Sequence, residues 1–344
     1  MRYLYTGDLS PLSYAENRRK ILSRMGREVC SLDYIPYLYS GNKKLGHLQH
    51  LLGMGPGIWR YNRDLLALAT KYHPDVFWVD KGTTIQPSTL QTIKRRTGAI
   101  FAVYNTDYLG CNTNPWRLHL PGIHYYDLCF TTNRLDIQRI RDLGAGNVSL
   151  VLIGYHREIH KPVPITSEEV ARLGASVGFI GHWEPATEDL MLRLLELGLT
   201  LRVRGTQWHH ARHKKRLVLT VEPRPVYQDE YAKAVLATKI NLGINSAQNK
   251  NQHSGRSFEI PAIGGFLLAE RTLEHQALYE EGKEAEFFAS AEELVEKANY
   301  YLKHEEERQQ IAKQGHVRCI SRGYSMEEIM GKMVNAVEQV RGLR

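Results

Sequence analysis

The chain has 344 residues, 42% hydrophobic and 24% charged, with no low-complexity tract; a single core rarely grows that large, so two folded domains of about 150 residues each are expected. Lys and Arg number 45 against 37 Asp and Glu, a net charge of +8 that suits phosphorylated ligands, nucleic acid or acidic lipid without choosing among them. Cys30, Cys111, Cys129 and Cys319 show neither CxxC nor disulfide-framework spacing, and no apolar run reaches membrane-spanning length, so a cytoplasmic protein with free thiols is expected.

The first half alternates short apolar runs with amphipathic stretches. Strands are predicted at Arg2 to Tyr5, Glu28 to Asp33, Val76 to Val79, Ile100 to Tyr104 and Leu128 to Thr131, and helices at Tyr14 to Met25, Asn62 to Tyr72 and Pro87 to Arg96. That alternation implies parallel βαβ units. Three of the strands run into polar ends (Gly7-Asp8, Asp80-Lys81-Gly82 and Asn105-Thr106-Asp107), and the carboxyl edge of an open α/β sheet is where ligands bind. From His156 to Glu168, with Pro162 and Pro164, neither period survives, and an interdomain linker is expected there.

The pattern restarts with strand Val177 to Ile180, helix Thr187 to Leu197, strand Thr200 to Arg204, strand Leu217 to Val221 and helix Gln228 to Thr238. Strand Lys239 to Asn245 then leads through a polar loop to a short helix, Gly264-Gly265 and strand Phe266 to Ala269. Helices are predicted again at Ala291 to Tyr301, Glu305 to Gln314 and Met326 to Val340.

The strand–helix–strand unit around residue 256 carries the most chemistry. Amides from Ser254 to Ser257 and Phe258 would open the helix unpaired, and with its dipole and Arg256 they suit a diphosphate. Glu259, in the first turn, can accept two parallel bonds from the vicinal hydroxyls of a ribose. The plainer alternative makes Glu259 a helix-capping carboxylate and Arg256 its surface partner. Pro261 costs little if Ser257 is the N-cap, and kinks the helix if it starts at Ser254; the sequence leaves both open.

The run Arg256-x-Phe258-Glu259-Ile260-Pro261-Ala262-x-Gly264-Gly265-Phe266-Leu267-Leu268 resembles the donor-binding signature of GT-B glycosyltransferases, nearest the CgeB-type (spore maturation protein) branch. Val177 to Trp183, Leu201 to Thr206, Asp127 to Asn133, Leu143-Gly144-Ala145 and Gly154-Tyr155 are similar to other segments of that family. The resemblance implies an α/β fold of two Rossmann-like domains facing across a cleft. Residues 1–160 would bind the acceptor and 161–320 the nucleotide sugar, with 321–344 a helix crossing back to the first domain. It further implies a metal-independent, hexosyl-type transferase whose donor is a nucleoside diphosphate sugar, UDP ahead of GDP, with no separate cofactor. Retaining relatives carry two glutamates eight positions apart. Glu259 matches the second, but Asn251 stands at the first, and an amide carries no charge to balance a developing cation.

Further donor contacts are expected at Gly181 and His182, where a glycine turn lets a phosphate approach the backbone, and at Arg204 at a strand end. The alternatives are a plain turn and a solvated arginine. The loop Pro223 to Tyr227 would border the base through Val226 and Tyr227, unless Tyr227 lies in the core. For a general base in the first domain Asp8, Asp80 and Asp107 are the candidates at strand ends, with Asp107 preferred as an aromatic-flanked carboxylate expected to be partly desolvated, although a single Asp more often shapes a turn. No Asp-x-Asp pair is present, and His209 with His213 sits in a basic run, so no metal site is expected. The acceptor (glycan, protein or small molecule) and the oligomeric state are not legible; nucleic acid is not expected, and peripheral membrane contact stays open. The competing readings are a nucleotide-sugar epimerase on the same architecture and a non-catalytic nucleic-acid or polysaccharide binder.

Overall fold

The computed structural model describes residues 1–110, 116–217 and 220–342. The chain divides into two compact units, residues 1–152 with 327–344, and residues 153–326.

In the first unit β1 (Arg2–Gly7), β2 (Glu28–Asp33), β3 (Val76–Asp80), β4 (Ile100–Asn105), β5 (Leu128–Thr131) and β6 (Asn147–Leu150) form one parallel sheet in the order β2-β1-β3-β4-β5-β6. β3 and β4 are buried along their whole length, as expected of parallel strands covered on both faces, and this is why they read as unbroken apolar runs. Phe77 and Phe101 meet at 4.9 Å in the core between adjacent strands. The order reverses between β1 and β3, which places Gly7 beside Asp80: a Cβ on Gly7 would lie 2.8 Å from that of Asp80. The Asp80 carboxylate is buried under a bidentate Arg18 (2.8 Å to each oxygen) and the Tyr5 hydroxyl (2.6 Å). The final helix, Met326–Gly342, is held to the unit by Arg27, which grips Glu338 at 2.8 and 3.0 Å.

The second unit carries β7 (Ala175–Ile180), β8 (Arg202–Arg204), β9 (Val221–Glu222), β10 (Thr238–Gly243), β11 (Leu267–Glu270) and β12 (Glu286–Phe288), all parallel, in the order β12-β11-β10-β7-β8-β9. This is the doubly wound arrangement of two βαβαβ halves, with its switch point between β7 and β10. Val177, Phe179, Val203, Ile240, Leu242 and Leu268 form the center of its core.

Several elements differ from expectation. The helix predicted from Asn62 starts at Pro56, with proline at its first turn where a missing donor costs little. Helices Ile35–Tyr39 and Lys43–Leu52, not among the predicted elements, precede it. The strand predicted over Leu217 to Val221 is a helix turn ending at Leu217 and a two-residue β9, and positions 218–219 lie outside the described residues, as does Cys111. The stretch expected as a linker belongs to the second unit: Tyr155 bridges Ser325, and the His160 ring packs edge-on to Tyr231 at 5.8 Å. No helix among the described residues is long and apolar enough to cross a membrane.

Candidate functional site

β10 ends at Gly243, and the chain returns through residues 244–255 to the helix Arg256–Ile263, whose first turn lies over the switch point. Arg256 spans that point. Its guanidinium donates to the carbonyls of Ile180, after β7, at 3.3 Å and of Ile244, after β10, and lies 5.0 Å above the Phe179 ring. It does not pair with Glu259, which excludes the plainer alternative for both residues. A cation is thereby fixed between the two strand ends.

Of the amides expected to be open at this turn, three are engaged: Ser254 N–H donates to Ser257 Oγ (3.0 Å), Ser257 N–H to Ser254 O (3.1 Å) and Phe258 N–H to Gly255 O (2.9 Å). The anion-facing donors are therefore reduced to those of Gly255 and Arg256. Ser257 is fully buried rather than presented. Its hydroxyl lies 2.7 Å from His275 Nε2, and His275 Nδ1 lies 2.6 Å from the Glu270 carbonyl. A carbonyl only accepts, so Nδ1 carries the proton and Nε2 accepts from Ser257. Burial lowers the His275 pKa to about 4, which keeps that neutral tautomer.

The helix begins at Arg256, so Pro261 is interior. It cannot donate to the carbonyl of Ser257, four residues back. The buried Tyr279 hydroxyl does so instead, at 2.9 Å. Gly264, at φ +95°, closes the helix in the left-handed region.

Glu259 is only 6% exposed. Tyr231 donates to its Oε2 at 2.8 Å, and His160 Nε2 stands 3.8 Å from Oε1. Both partners come from outside the motif, one from helix Gln228–Ala237 and one from the stretch read as a linker.

Around this turn several buried side-chain atoms have no hydrogen-bond partner among the described residues: Oε1 of Gln252, Nε2 of His253, Oγ of Ser254 and Nε of Arg256. Buried polar groups are rarely left so, and a concentration of them beside a switch point marks a polar ligand site. A cleft of about 320 Å³ opens there, lined by Ala186, Thr187, Leu190, Ile244, Asn245, Ser246, Ala247, Lys250, Asn251 and Glu270. Of the predicted residues it contains Asn251. Sequence reasoning missed Asn245, Lys250 and Glu270. Burial raises the Glu270 pKa above the usual carboxylate value, against the pull of the Asn245 amide 3.0 Å away and the Arg256 charge. Its signal was available, because Glu270 ends a strand at the ligand edge.

The remaining predicted residues are placed differently. The space at Gly181 is already used: a Cβ there would lie 2.5 Å from Phe179 and 3.0 Å from Arg256, so the glycine admits those side chains rather than a phosphate. His182 is exposed and donates to Glu184 at 3.1 Å. Glu184, unpredicted, also accepts from the Ala247 amide at 3.1 Å and ties the β7 turn to the loop after β10. Arg204 is neither solvated nor presented. It is 2% exposed and donates to Glu222 (2.9 Å) and the Leu173 carbonyl (2.9 Å), and burial lowers its pKa. Val226 is in the core, whereas Tyr227 is 54% exposed, which overturns the core alternative for it. His213 lies 3.0 Å from Glu188, a carboxylate partner the sequence did not reveal.

In the first unit Asp8 forms a turn, accepting from the Ser10 amide at 2.9 Å. Asp107 is half-buried, with Lys81 Nζ at 2.5 Å. The carboxylate expected as a general base is thus met by an ion pair within its own unit.

Residues 187–335, which contain the helix Arg256–Ile263 and the cleft, match the family described as glycosyl transferase-like. No curated protein sequence matches the chain significantly. Among solved structures, sucrose-phosphate synthase from Thermosynechococcus elongatus superposes with a TM-score of 0.76 at 12% identity, covering 100% of both chains. HepE from Anabaena in complex with UDP-glucose gives 0.69 at 12% identity over 98% of this chain and 100% of the other. A protein assigned as a UDP-N-acetylglucosamine 2-epimerase from Listeria monocytogenes gives 0.57 at 9% identity over 100% and 97%. The fold is GT-B.

Proposed function

We propose that the chain is a glycosyltransferase that takes a nucleoside diphosphate sugar, a UDP-sugar first, and passes its hexosyl group to an acceptor hydroxyl. The observation that carries this reading is the concentration of unpartnered buried polar atoms around Arg256, at the switch point of the second unit. The glycosyl transferase-like match over the same residues and the UDP-glucose held by HepE support it.

In this reading Glu259, oriented by Tyr231, accepts from the ribose hydroxyls, and Val226 and Tyr227 border the base. Arg256 with the amides of Gly255 and Arg256 stabilises the diphosphate as the anomeric C–O bond breaks and the bonding pair leaves with it. His182, beside the β7 end, adds a donor. The sugar lies in the cleft with Asn245, Asn251 and Glu270, where a carboxyl of raised pKa can hold or take up a proton. Asn251 contributes hydrogen bonds without charge. For an inverting course Asp107 is the base, and the Lys81 contact must be exchanged for the acceptor hydroxyl. Positive charge for the departing diphosphate then comes from the protein, without a metal ion.

A thermal-shift screen against UDP, GDP, CMP and dTDP, free and as sugar conjugates, tests the donor site. A ligand that binds only the folded state raises the midpoint by mass action. UDP is expected to give a shift that Glu259→Ala abolishes; a screen with no response to any nucleotide sinks the reading. The likeness to the Listeria protein favours epimerisation as a second reading, and conversion of UDP-N-acetylglucosamine without any acceptor would decide for it.

A further inference from the structure

The helix Lys43–Leu52 is amphipathic with its faces inverted. Its inward side is small and polar. Gly46 packs so closely that a Cβ would lie 1.9 Å from the Leu38 carbonyl, Gln49 accepts from the Gly57 amide at 2.7 Å, and His50 lies 2.9 Å from Tyr39 and 2.8 Å from Thr83. Its outward side carries Leu45, Leu48, Leu51 and Leu52, which at 100° per residue fall within an arc of about 120°. Met54, in the following turn, and Trp59, on the next helix, continue it. These six side chains are between 38% and 57% exposed. A helix that only served the core would turn its leucines the other way.

Charge decides what such a face meets. From Tyr34 to Arg63 the chain contains no Asp or Glu but has Lys43, Lys44, Arg60 and Arg63, a local charge of +4 out of the chain's +8. Arg63 is paired with Asp64, just beyond the segment; Lys43, Lys44 and Arg60 are exposed beside the leucines. Nucleic acid would use the cations and leave the leucines in water, and a protein partner would need acids to match. A bilayer with anionic headgroups satisfies both at once, because leucine and tryptophan enter the headgroup–acyl boundary while lysines and arginines stay at the phosphates.

We propose that the face formed by helix Lys43–Leu52, Met54 and Trp59 docks the protein on an anionic lipid surface. The helix lies in the plane of the interface and does not span it. This surface belongs to the first unit, and its use does not depend on the transferase reading.

Co-sedimentation of the full chain with sucrose-loaded vesicles of phosphatidylcholine, or of phosphatidylcholine and phosphatidylglycerol in equal parts, tests the proposal. Binding is expected to the mixed vesicles and to fall with added salt. It should come with a blue shift of tryptophan emission that Trp59→Phe removes. Lys43→Gln with Lys44→Gln is expected to weaken binding about fivefold per residue, and Leu48→Glu with Leu52→Glu by at least about tenfold. All four positions are exposed, so circular dichroism and the thermal midpoint should be unchanged. Absence of vesicle binding, or binding indifferent to Leu48→Glu with Leu52→Glu, overturns the proposal. So does a dimer in sedimentation velocity that this double variant dissolves without any vesicle binding, since the face then belongs to a second copy.

Discussion

At the scale of single residues, the candidate site works through partners lying far from the motif. Glu259 is oriented by Tyr231, and Arg256 by carbonyls that follow two different strands. In the proposed reading Tyr231→Phe leaves the Glu259 charge in place but loosens its orientation, and UDP affinity is expected to fall about threefold to tenfold, as for one lost hydrogen bond. Glu259→Gln should cost more, because one acceptor oxygen becomes a donor amide facing the ribose hydroxyls. Isothermal titration with UDP measures both; a wild-type affinity in Tyr231→Phe would show that Tyr231 acts only in folding. Glu270→Gln keeps the shape of the cleft and removes its titrating group. It is expected to lower turnover with little change in UDP affinity, a split that steady-state kinetics and titration together resolve.

At the scale of elements, one tyrosine and two glycine positions explain how a proline-containing helix is held beside the crevice. Tyr279→Phe leaves the Ser257 carbonyl buried with no donor, since Pro261 has none to give. A loss of about 1–3 kcal/mol is expected in urea unfolding. Gly264 and Gly205 both have positive φ (+95° and +148°), but their surroundings differ. A Cβ at Gly264 meets nothing within 4 Å, whereas at Gly205 it would lie 1.9 Å from the Gly181 carbonyl. Gly264→Ala should therefore cost only the left-handed strain, roughly 1–2 kcal/mol. Gly205→Ala adds displacement of the turn that seats Phe179 and Arg256, and should unfold the unit or abolish nucleotide binding. Comparable midpoints for the two variants would refute this account.

At the scale of the whole molecule, stability should depend on pH through histidines buried in both units. His50 and His119 in the first unit and His275 in the second are each lowered to about 4, chiefly by burial, with His47 and Lys81 adding to the effect at His50. Their unfolded values lie near 6.5, so between pH 6.5 and 4 the unfolded chain binds more protons than the folded one. The contribution is complete above 6.5 and is lost as pH falls toward 4, by up to about 3 kcal/mol per histidine. Glu188 adds a second, lower window. Despite its burial, the amides of Arg212 and His213 and the Trp183 indole hold its pKa at about 2, so its contribution is present above about 4.5 and lost below. Urea unfolding at pH 7.5, 6 and 5 should show a falling free energy, and His275→Gln should flatten part of the slope. Asp136, raised by burial to about 6, works in the opposite sense over the lower part of this range, so the test is the variant: a slope unchanged in His275→Gln would mean that this ring is solvated in the folded state.

The α/β class, the two α/β halves and most of the core strands were legible in the sequence, because they rest on local periodicity and on glycine and proline punctuation. Strand runs such as Val76 to Val79 and Ile100 to Tyr104 are apolar for the same reason that they are buried. Local pattern could not say which polar residue faces a ligand and which faces the protein. Arg204 and Ser257 are sequestered by residues distant in the chain, Asp107 is met by Lys81, and Gly181 yields its space to Phe179 and Arg256. Glu270 and Asn245 come together because β10 and β11 are neighbours in the sheet, and Arg256 meets both strand ends because β7 lies beside β10 although β8 and β9 come between them in the chain. Sequence thus determined the elements and the residue types at their ends. The tertiary fold decided the pairing, because burial and hydrogen-bond satisfaction depend on neighbours in space.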